Sequence, residues 1–154
     1  MSEIVCLRPA GLDDLPSLFV LDQRCFRQGI SYSQAELASI LDGSGCVSVV
    51  AEGALGEVLG LWMLETCSRY KIAHILTIEV APHARSRGLG TLLMAHLEQT
   101  ACLLQLDRVR LEVAEDDRSA QQFYLRLGYR AIGRFPRYYM GRINAIRMEK
   151  QLRV

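Results

Sequence analysis

The sequence predicts a single α/β domain in which helices pack on a mixed β-sheet. Runs with strand-like and helix-like hydrophobic periodicity follow each other in the order β-α-α-β-β-β-α-β-α-β-β along the 154 residues. The strand–helix–strand–helix stretch in the middle implies a partly parallel sheet, because a crossover helix brings the next strand back in the same direction. A hydrophobic content of 50% supplies one core, and no repeat or linker divides the chain, so residues 1–154 are expected to form one domain.

The first predicted elements are a strand and two helices. The segment IVCLRPA (residues 4–10) alternates as a strand does and is ended by a proline. GLDDLPSLFVLDQRCF (residues 11–26) places apolar residues at helical spacing behind two aspartates that suit a helix N-terminus. Ser33 and Glu36 form a capping box, which predicts a second short helix that begins after Ser33.

A hairpin and a further strand follow. CVSVVAEGALGEVLGLWMLETCS (residues 46–68) predicts two strands joined by a turn near Gly53–Gly56. AHILTIEVAP (residues 73–82) predicts another strand, which Pro82 ends. The single tryptophan, Trp62, is expected to pack in the core.

The remaining elements are a long helix, a strand, a second helix and two strands. The long helix spans about residues 89–106, and its apolar stripe consists of Leu89, Leu93, Leu97, Ala101 and Leu104. RVRLEVA (residues 108–114) predicts a strand. The helix after it begins at Asp116/Asp117 and ends at Gly128, which suits a left-handed C-cap. Two final strands flank a predicted loop at Pro136–Ile143.

Charge and hydropathy exclude several function classes. The net charge is +1 and the isoelectric point is near 7.7, so binding to nucleic acid or to a membrane surface is not expected. No apolar run approaches the roughly 18 residues that span a bilayer. The opening MSEIVCLRPA lacks the apolar region of a secretory signal, so the expected location is the cytoplasm.

Cysteine and histidine spacing argues against disulfides and metal sites. The five cysteines are odd in number and never form a CxxC pair, which predicts reduced, buried and inert thiols at Cys6, Cys25, Cys46, Cys67 and Cys102. His74, His83 and His96 lack metal-ligand spacing, so no metal is expected.

The segment RSRGLG (residues 85–90) lies between a predicted strand and the long predicted helix. It is not a Walker A loop, and Leu93 occupies the position of the third glycine of a dinucleotide fingerprint. The unpaired N–H groups of a helix N-terminus, with close backbone approach at Gly88 and Gly90, can bind a pyrophosphate. A glycine turn with two solvated arginines fits the same residues, so this segment alone leaves both interpretations open.

Two further side chains are candidates for chemistry. Glu112 lies on the opposite strand face from its apolar neighbours, either as a salt-bridged carboxylate, with Arg110 for example, or as a cleft acid with a raised pKa that serves as a general base. Tyr124 lies in the following helix, either as a core residue with a satisfied hydroxyl or as a phenol that faces the cleft and donates a proton.

Four blocks in order resemble the Gcn5-related N-acetyltransferase (GNAT) superfamily over nearly the whole chain. ARSRGLG matches its R/Q-x-x-G-x-G/A signature. LEVAEDDRSAQQFYLRLGY (residues 111–129), the opening LDQRCF…YSQAEL and the closing RYYMGRINAIRM are similar to the ribosomal-protein-alanine N-acetyltransferases. The resemblance implies a mixed, mostly antiparallel sheet flanked by helices. It also implies acetyl transfer from acetyl-CoA to a primary amine, most simply a protein N-terminus such as that of a ribosomal protein.

Position by position, the resemblance implies roles for individual residues. Glu112 would be the general base and Tyr124 the general acid. The acetyl-CoA-binding residues would be Ile78, Glu79, Val80, Arg85, Ser86, Arg87, Gly88, Leu89, Gly90, Thr91 and Asp117. The acceptor-binding residues would be Tyr32, Tyr138 and Tyr139.

The chain departs from the family pattern at three positions. Asp117 stands where an asparagine usually contacts the cofactor, Asn144 stands where an acid is common, and Tyr32 replaces a tryptophan. The acceptor therefore stays open between an α-amine, a lysine side chain and a small-molecule amine. A non-catalytic acyl-CoA-binding module would retain the glycine turn but would need neither Glu112 nor Tyr124. A monomer and a homodimer are both compatible with the sequence.

Overall fold

The computed structural model describes residues 4–152, and within them one sheet of seven strands is accompanied by four α-helices and two short 3₁₀ turns. The strands are β1 (Cys6–Pro9), β2 (Cys46–Glu52), β3 (Val58–Cys67), β4 (Ile72–Val80), β5 (Arg108–Ala114), β6 (Arg130–Tyr139) and β7 (Ile143–Gln151). The helices are α1 (Leu15–Cys25), α2 (Gln34–Leu41), α3 (Leu89–Leu103) and α4 (Arg118–Arg126). The predicted order of elements is confirmed.

The sheet is mixed, with the strand order β1-β2-β3-β4-β5-β7-β6. All neighbouring strands are antiparallel except β4 and β5, which α3 connects as a crossover. The predicted parallel pair thus lies in the middle of the sheet. A single parallel pair at this place sets up the gap in which the candidate site lies.

Helices cover both faces of the sheet. On β3, the fully buried Trp62 donates its indole Nε1–H to Nδ1 of His96 in α3 (3.3 Å). The neighbouring Leu61 pairs with Glu79 of β4, whose carboxyl group contacts Asp22 of α1. Successive strand residues point to opposite faces, so α1 and α3 lie on opposite sides of the sheet.

The long helix α3 ends at Leu103, short of the predicted end near residue 106. The first four members of its predicted stripe are buried, but Leu104 is 47% exposed, so its place in the stripe was wrong. Gln105 has a φ of +62°, and this left-handed residue ends the helix before Leu104 can face the sheet. None of the helices within residues 4–152 combines the length and the hydropathy needed to cross a membrane.

The final loop is shorter than predicted, because β6 runs through Pro136 to Tyr139 and β7 begins at Ile143. β6 is the edge strand of the sheet, where a missing backbone N–H is tolerated. The register between β6 and β7 is irregular between Phe135 and Tyr139, which accommodates the proline within the strand.

The prediction that the cysteines are buried was also wrong. Cys6 and Cys102 are exposed, and Cys25, Cys46 and Cys67 are half-buried. Cys6 lies on the edge strand β1, and Cys102 follows the buried Ala101 on the outer side of α3. The five thiols, all within the described residues, form no disulfide.

The predicted capping box at the start of α2 is confirmed. Ser33 Oγ accepts the Glu36 N–H (3.1 Å), and Glu36 Oε1 accepts the Ser33 N–H (3.0 Å). We expect Ser33→Ala to lower the free energy of unfolding by about 1 kcal/mol, because an unpaired N–H is left at the helix start. Urea unfolding measures the loss. Ser39→Ala, on the exposed face of the same helix, is the control, and equal stability of the two variants would contradict the role of the cap.

Candidate active site

The strands β4 and β5 separate at the centre of the sheet. Their parallel pairing joins only Ile72–His74 with Arg108–Arg110, although β4 continues to Val80. The second half of β4 therefore borders a gap, and its backbone groups on that side have no partner in β5. Polar main-chain groups in such a gap can hydrogen bond a ligand.

A β-bulge marks the start of the gap. Met63 of β3 pairs with Thr77, whereas Leu64 pairs with Ile75, so Leu76 is the extra residue. The Leu76 carbonyl accepts a hydrogen bond from the Tyr32 hydroxyl (2.9 Å), which joins the segment between α1 and α2 to the bulge. The bulge therefore fixes a predicted acceptor residue against the predicted acetyl-CoA strand.

The three β4 residues predicted to bind acetyl-CoA differ in burial. Ile78 and Val80 are half-buried, whereas Glu79 is 2% exposed. The Glu79 side chain points toward α1, so only its backbone can belong to a site in the gap. If β4 binds acetyl-CoA, it would therefore do so through its backbone at this position rather than through the Glu79 side chain.

The glycine turn gives α3 an N-terminus that no side chain caps. Gly88 is the N-cap residue and has a φ of +83°, a conformation that glycine adopts at little cost. Leu92 donates its N–H to the Gly88 carbonyl (3.0 Å), so the N–H groups of Leu89, Gly90 and Thr91 precede the first helical hydrogen bond. These groups and the helix dipole suit an anion.

The turn is anchored to the end of β4. Arg85 donates its Nε–H to the Val80 carbonyl (3.0 Å), and Arg85, Ser86 and Arg87 are exposed. Ser86 has a φ of +64°, so two left-handed residues shape the turn. The positive charge of the two arginines lies in the segment that leads into the uncapped helix.

Glu112 lies between a histidine and an arginine on the α1 side of the sheet. His74 Nε2 lies 2.6 Å from Glu112 Oε1, and Arg147 Nε donates to Glu112 Oε2 (2.9 Å). The Glu112 side chain is only 6% exposed, whereas those of His74 and Arg147 are 32% and 29% exposed. Arg110, the ion-pair partner considered for Glu112, is bonded to Glu149 instead.

The pKa of Glu112 is lowered, contrary to the raised value considered for a cleft base. Burial alone would raise the pKa, but the hydrogen bonds and charges of His74 and Arg147 outweigh it. An ionised carboxylate can only accept, so the short contact requires His74 Nε2 to carry the hydrogen. In the neutral form of the ring, this tautomer leaves the lone pair on the other nitrogen, Nδ1.

Tyr124 is the buried residue of α4, with 9% of its surface exposed. Its ring makes edge contacts with Phe123 (5.3 Å between centroids) and Tyr129 (5.8 Å). Burial, with negative charge at Asp117 nearby, raises its pKa, so the phenol keeps its proton. The ring is packed as a core residue, and its protonated phenol leaves the role of proton donor as a prediction.

Three tyrosines line the same side of the sheet as Glu112. The rings of Tyr138 and Tyr139 are 4.9 Å apart and nearly perpendicular, and Tyr138 lies near enough to Glu112 to interact electrostatically. Burial raises the pKa of Tyr32 to about 12 and also raises that of Tyr139, which lies near enough to Tyr32 to interact electrostatically. Tyr32, Tyr138 and Tyr139 are named the tyrosine wall.

The two remaining departures from the family pattern have structural partners. Asp117 is the N-cap of α4, and its Oδ1 accepts the Ala120 N–H (3.1 Å). Asn144 Nδ2 donates to Glu115 Oε2 (2.6 Å). A carboxylate therefore lies beside Asn144, but it belongs to Glu115, the residue that follows β5. Arg134 donates to the same Glu115 carboxylate.

Patterns in the sequence alone did not indicate His74 and Arg147 as partners of Glu112. His74 could have been found from its place on the strand predicted to run parallel to the Glu112 strand. The pairing of Arg147 with Glu112 depends on the β5–β7 register, which no local pattern specifies. Residues 4–152 contain no group of three or more His, Cys, Asp or Glu arranged to hold a metal ion.

Comparison with known proteins identifies a family match over most of the chain. Residues 15–129, about three quarters of the chain, match the Acetyltransferase (GNAT) family. A protein of Methanocaldococcus jannaschii, described as an uncharacterized N-acetyltransferase, is 34% identical over 79 residues, which are 51% of this chain and 51% of that protein. The match thus spans about half the length of that curated relative.

Solved structures share the fold over nearly the whole chain. The ribosomal-protein-S18-alanine N-acetyltransferase from Escherichia coli has a TM-score of 0.88 at 22% identity, covering 98% of this chain and 96% of that one. Ard1 from Thermoplasma volcanium has a TM-score of 0.85 at 27% identity, covering 97% and 99%. The spermidine/spermine N-acetyltransferase SpeG from Vibrio cholerae has a TM-score of 0.78 at 22% identity, covering 96% and 92%. The predicted fold is confirmed.

Proposed function

The chain belongs to the acetyltransferase (GNAT) family, whose members use acetyl-CoA, and we propose that it acetylates the α-amine of a protein or peptide N-terminus. The observation that carries the proposal is the contact between His74 and Glu112, which lies where β4 and β5 separate and beside the tyrosine wall. An ionised carboxylate, an imidazole and an aromatic surface in one place suit a reaction on a peptide amine.

The residues of the gap fit acetyl-CoA as the donor substrate. The uncapped start of α3 offers the N–H groups of Leu89–Thr91 to the pyrophosphate, with Arg85 and Arg87 in the preceding turn. The β4 backbone from Ile78 to Val80, which has no pairing with β5, would receive the acetyl and pantetheine part. Acetyl-CoA supplies the thioester carbonyl that the amine attacks.

Glu112 and His74 form the base in this proposal. A protonated α-amine has a pKa of about 8, so a modest base makes it neutral. Glu112 accepts the His74 Nε2–H and leaves Nδ1 to take the amine proton, directly or through one water. The carboxylate then stabilises the imidazolium that forms, and Arg147 keeps the carboxylate in place.

Tyr124 is the proposed acid. The new bond joins the amine nitrogen to the carbonyl carbon, the carbon–sulfur bond breaks, and the sulfur leaves with the electron pair. The phenol of Tyr124 gives its proton to that sulfur, and the nitrogen releases its second proton to solvent as the amide forms. Solvent then takes the first amine proton from the base and reprotonates the Tyr124 phenolate. A phenol kept protonated by burial suits this donation.

The tyrosine wall supports a peptide acceptor. Tyr32 is fixed at the β4 bulge, and Tyr138 lies near Glu112, so the wall extends from the donor strand toward the base. Among the solved structures of the same fold, one is a ribosomal-protein-S18-alanine N-acetyltransferase and another is Ard1. A third is a spermidine/spermine N-acetyltransferase. We place the reaction in the cytoplasm and leave a monomer and a homodimer open.

Gly90 supplies a test of donor binding. A Cβ at Gly90 would lie 3.4 Å from the Phe123 ring and 3.9 Å from Val80, so one methyl group fits and a branched side chain does not. We expect Gly90→Val to weaken acetyl-CoA binding at least about tenfold (one tenfold step is about 1.4 kcal/mol) and Gly90→Ala to change it little. Calorimetric titration with acetyl-CoA measures both. Equal affinities of the two variants would contradict this position for the donor.

The acceptor class is tested by steady-state kinetics with three amines. They are a peptide with a free N-terminal alanine, the same peptide with a blocked N-terminus and one lysine, and spermidine. The α-amine peptide should have the largest kcat/KM, because lysine has a pKa of about 10.4 and needs a stronger base. Preference for lysine or spermidine would replace the proposed acceptor. Acetyl-CoA binding without any transfer would indicate a non-catalytic module.

A further inference from the structure

Two buried carboxyl groups connect α1 with the proposed donor strand β4. Asp22 is fully buried and Glu79 is 2% exposed. Tyr32 donates its backbone N–H to Asp22 Oδ2, and Thr77 donates its hydroxyl to Glu79 Oε2 (2.8 Å). The other two oxygens, Asp22 Oδ1 and Glu79 Oε1, have no donor among the described residues.

A single proton would satisfy both of these oxygens. Buried polar atoms are rarely left without a partner, and two neighbouring carboxylates in a dry interior cannot both be ionised. The two side chains are within hydrogen-bonding contact of each other. Burial, followed by the charge of Asp22, raises the pKa of Glu79 to about 9, and burial also raises the pKa of Asp22.

We propose that Asp22 and Glu79 share one proton and act as positioning residues that hold Tyr32 against the β4 bulge. The proposal deepens the function proposed above and rests on it for the catalytic role of Tyr32. Tyr32 is held at two points, since its backbone N–H is bonded to Asp22 and its hydroxyl to the Leu76 carbonyl. The shared proton therefore links the tyrosine wall to the donor strand.

The surrounding charged and titratable groups favour retention of the proton. Those that interact with the pair are Cys25 of α1, Glu36 of α2 and Tyr32, and Arg85 after β4 interacts with Cys25. Cys25 Sγ and Arg85 Nε both donate to the Val80 carbonyl, at 3.4 Å and 3.0 Å. Arg85 is exposed, so solvent screens its charge, whereas Glu36 adds negative charge. Loss of the proton would leave two buried carboxylates in contact and push α1 away from β4.

The first test is the pH dependence of unfolding, which needs no substrate. The folded pKa of Glu79 is raised above its ordinary value of 4.5, so the folded state keeps a proton that the unfolded chain releases. The contribution of the pair to the free energy of unfolding is therefore complete below about pH 4.5, and it is lost as the pH rises toward about 9. In Glu79→Gln the amide can donate to Asp22 and accept from Thr77, so Asp22 stays ionised beside a neutral partner and no proton is shared.

Urea unfolding of wild type and Glu79→Gln at a series of pH values measures the difference. The ratio of the wild-type unfolding constant to that of the variant should rise by up to about tenfold per pH unit between about pH 5 and 9. Glu149→Gln, which removes a half-buried glutamate of β7, is the control and should follow the wild type over this range. Parallel curves for wild type and Glu79→Gln would overturn the shared proton.

The second test measures the position of Tyr32. Hydrogen exchange of the Tyr32 amide should be equally protected in wild type and Glu79→Gln near pH 6, and at least about tenfold less protected in the wild type near pH 9. The KM for the peptide acceptor should rise over the same range in the wild type alone. Equal protection at every pH would overturn the positioning role. Absence of acetyl transfer with the expected exchange behaviour would contradict the proposed function instead.

Discussion

Glu112→Gln should lower kcat/KM by about 10²-fold or more, which is the contribution of a general base. The amide is neutral, so it cannot stabilise an imidazolium at His74, 2.6 Å away, and it leaves Arg147 without its anionic partner. The pH profile of kcat/KM should change as well, because the charge that orients His74 is gone. Initial rates with acetyl-CoA and a peptide acceptor measure both effects.

Glu149→Gln is the matched control for this variant. Glu149 lies on β7, next to the strand that carries Glu112, and its ion pair is with Arg110 (2.7 Å) rather than with Arg147. Both substitutions break a glutamate–arginine pair, so urea unfolding should show comparable losses, whereas only Glu112→Gln should lose activity. An unchanged pH–rate profile in Glu112→Gln would remove Glu112 from the base, and the buried Glu79, which faces α1, could not replace it from that position.

Tyr124→Phe should lower kcat by about 10²-fold, the effect expected for a general acid, with little change in stability. Phenylalanine preserves the edge contacts with Phe123 and Tyr129, so the packing of α4 is retained. Only the proton donor is lost. Single-turnover measurements of thiol release from acetyl-CoA report this step.

Tyr129→Phe separates this catalytic effect from a structural one. Tyr129 donates its hydroxyl to Glu98 Oε2 (2.9 Å), on the side of α3. Removing that hydroxyl should cost about 1 kcal/mol of stability, because one buried hydrogen bond is lost, and should leave kcat nearly unchanged. If Tyr124→Phe retains wild-type kcat, the leaving thiolate takes its proton from another source.

Periodicity and capping predicted the elements, because they depend on residues close together in the chain. The turn at RSRGLG and the capping box at Ser33 are local, and both have the predicted structure. The end of α3 and the strand through Pro136 differ from prediction because tertiary context decides them. β6 lies at the sheet edge, a fact that no window of sequence around Pro136 contains.

The environment of Glu112 could be predicted only in part. Alternation placed it on the polar face of its strand, but its partners depend on strand register. Directly opposed residues on neighbouring strands lie about 5 Å apart, closer than two residues on one face of a single strand, so Arg147 pairs with Glu112 and Arg110 pairs with Glu149. The Asp22–Glu79 pair could not be predicted either, because its two residues are far apart in the sequence and are brought together only when α1 packs on β4.

The central claim is tested most directly by locating the acetyl group on a peptide that contains both kinds of amine. The peptide has a free N-terminal alanine and one internal lysine, and it is incubated with acetyl-CoA and either the wild type or Glu112→Gln. Tandem mass spectrometry should find one acetyl group on the alanine nitrogen with the wild type and a trace with the variant. Acetylation of the lysine, or none at all with acetyl-CoA bound, would contradict the account.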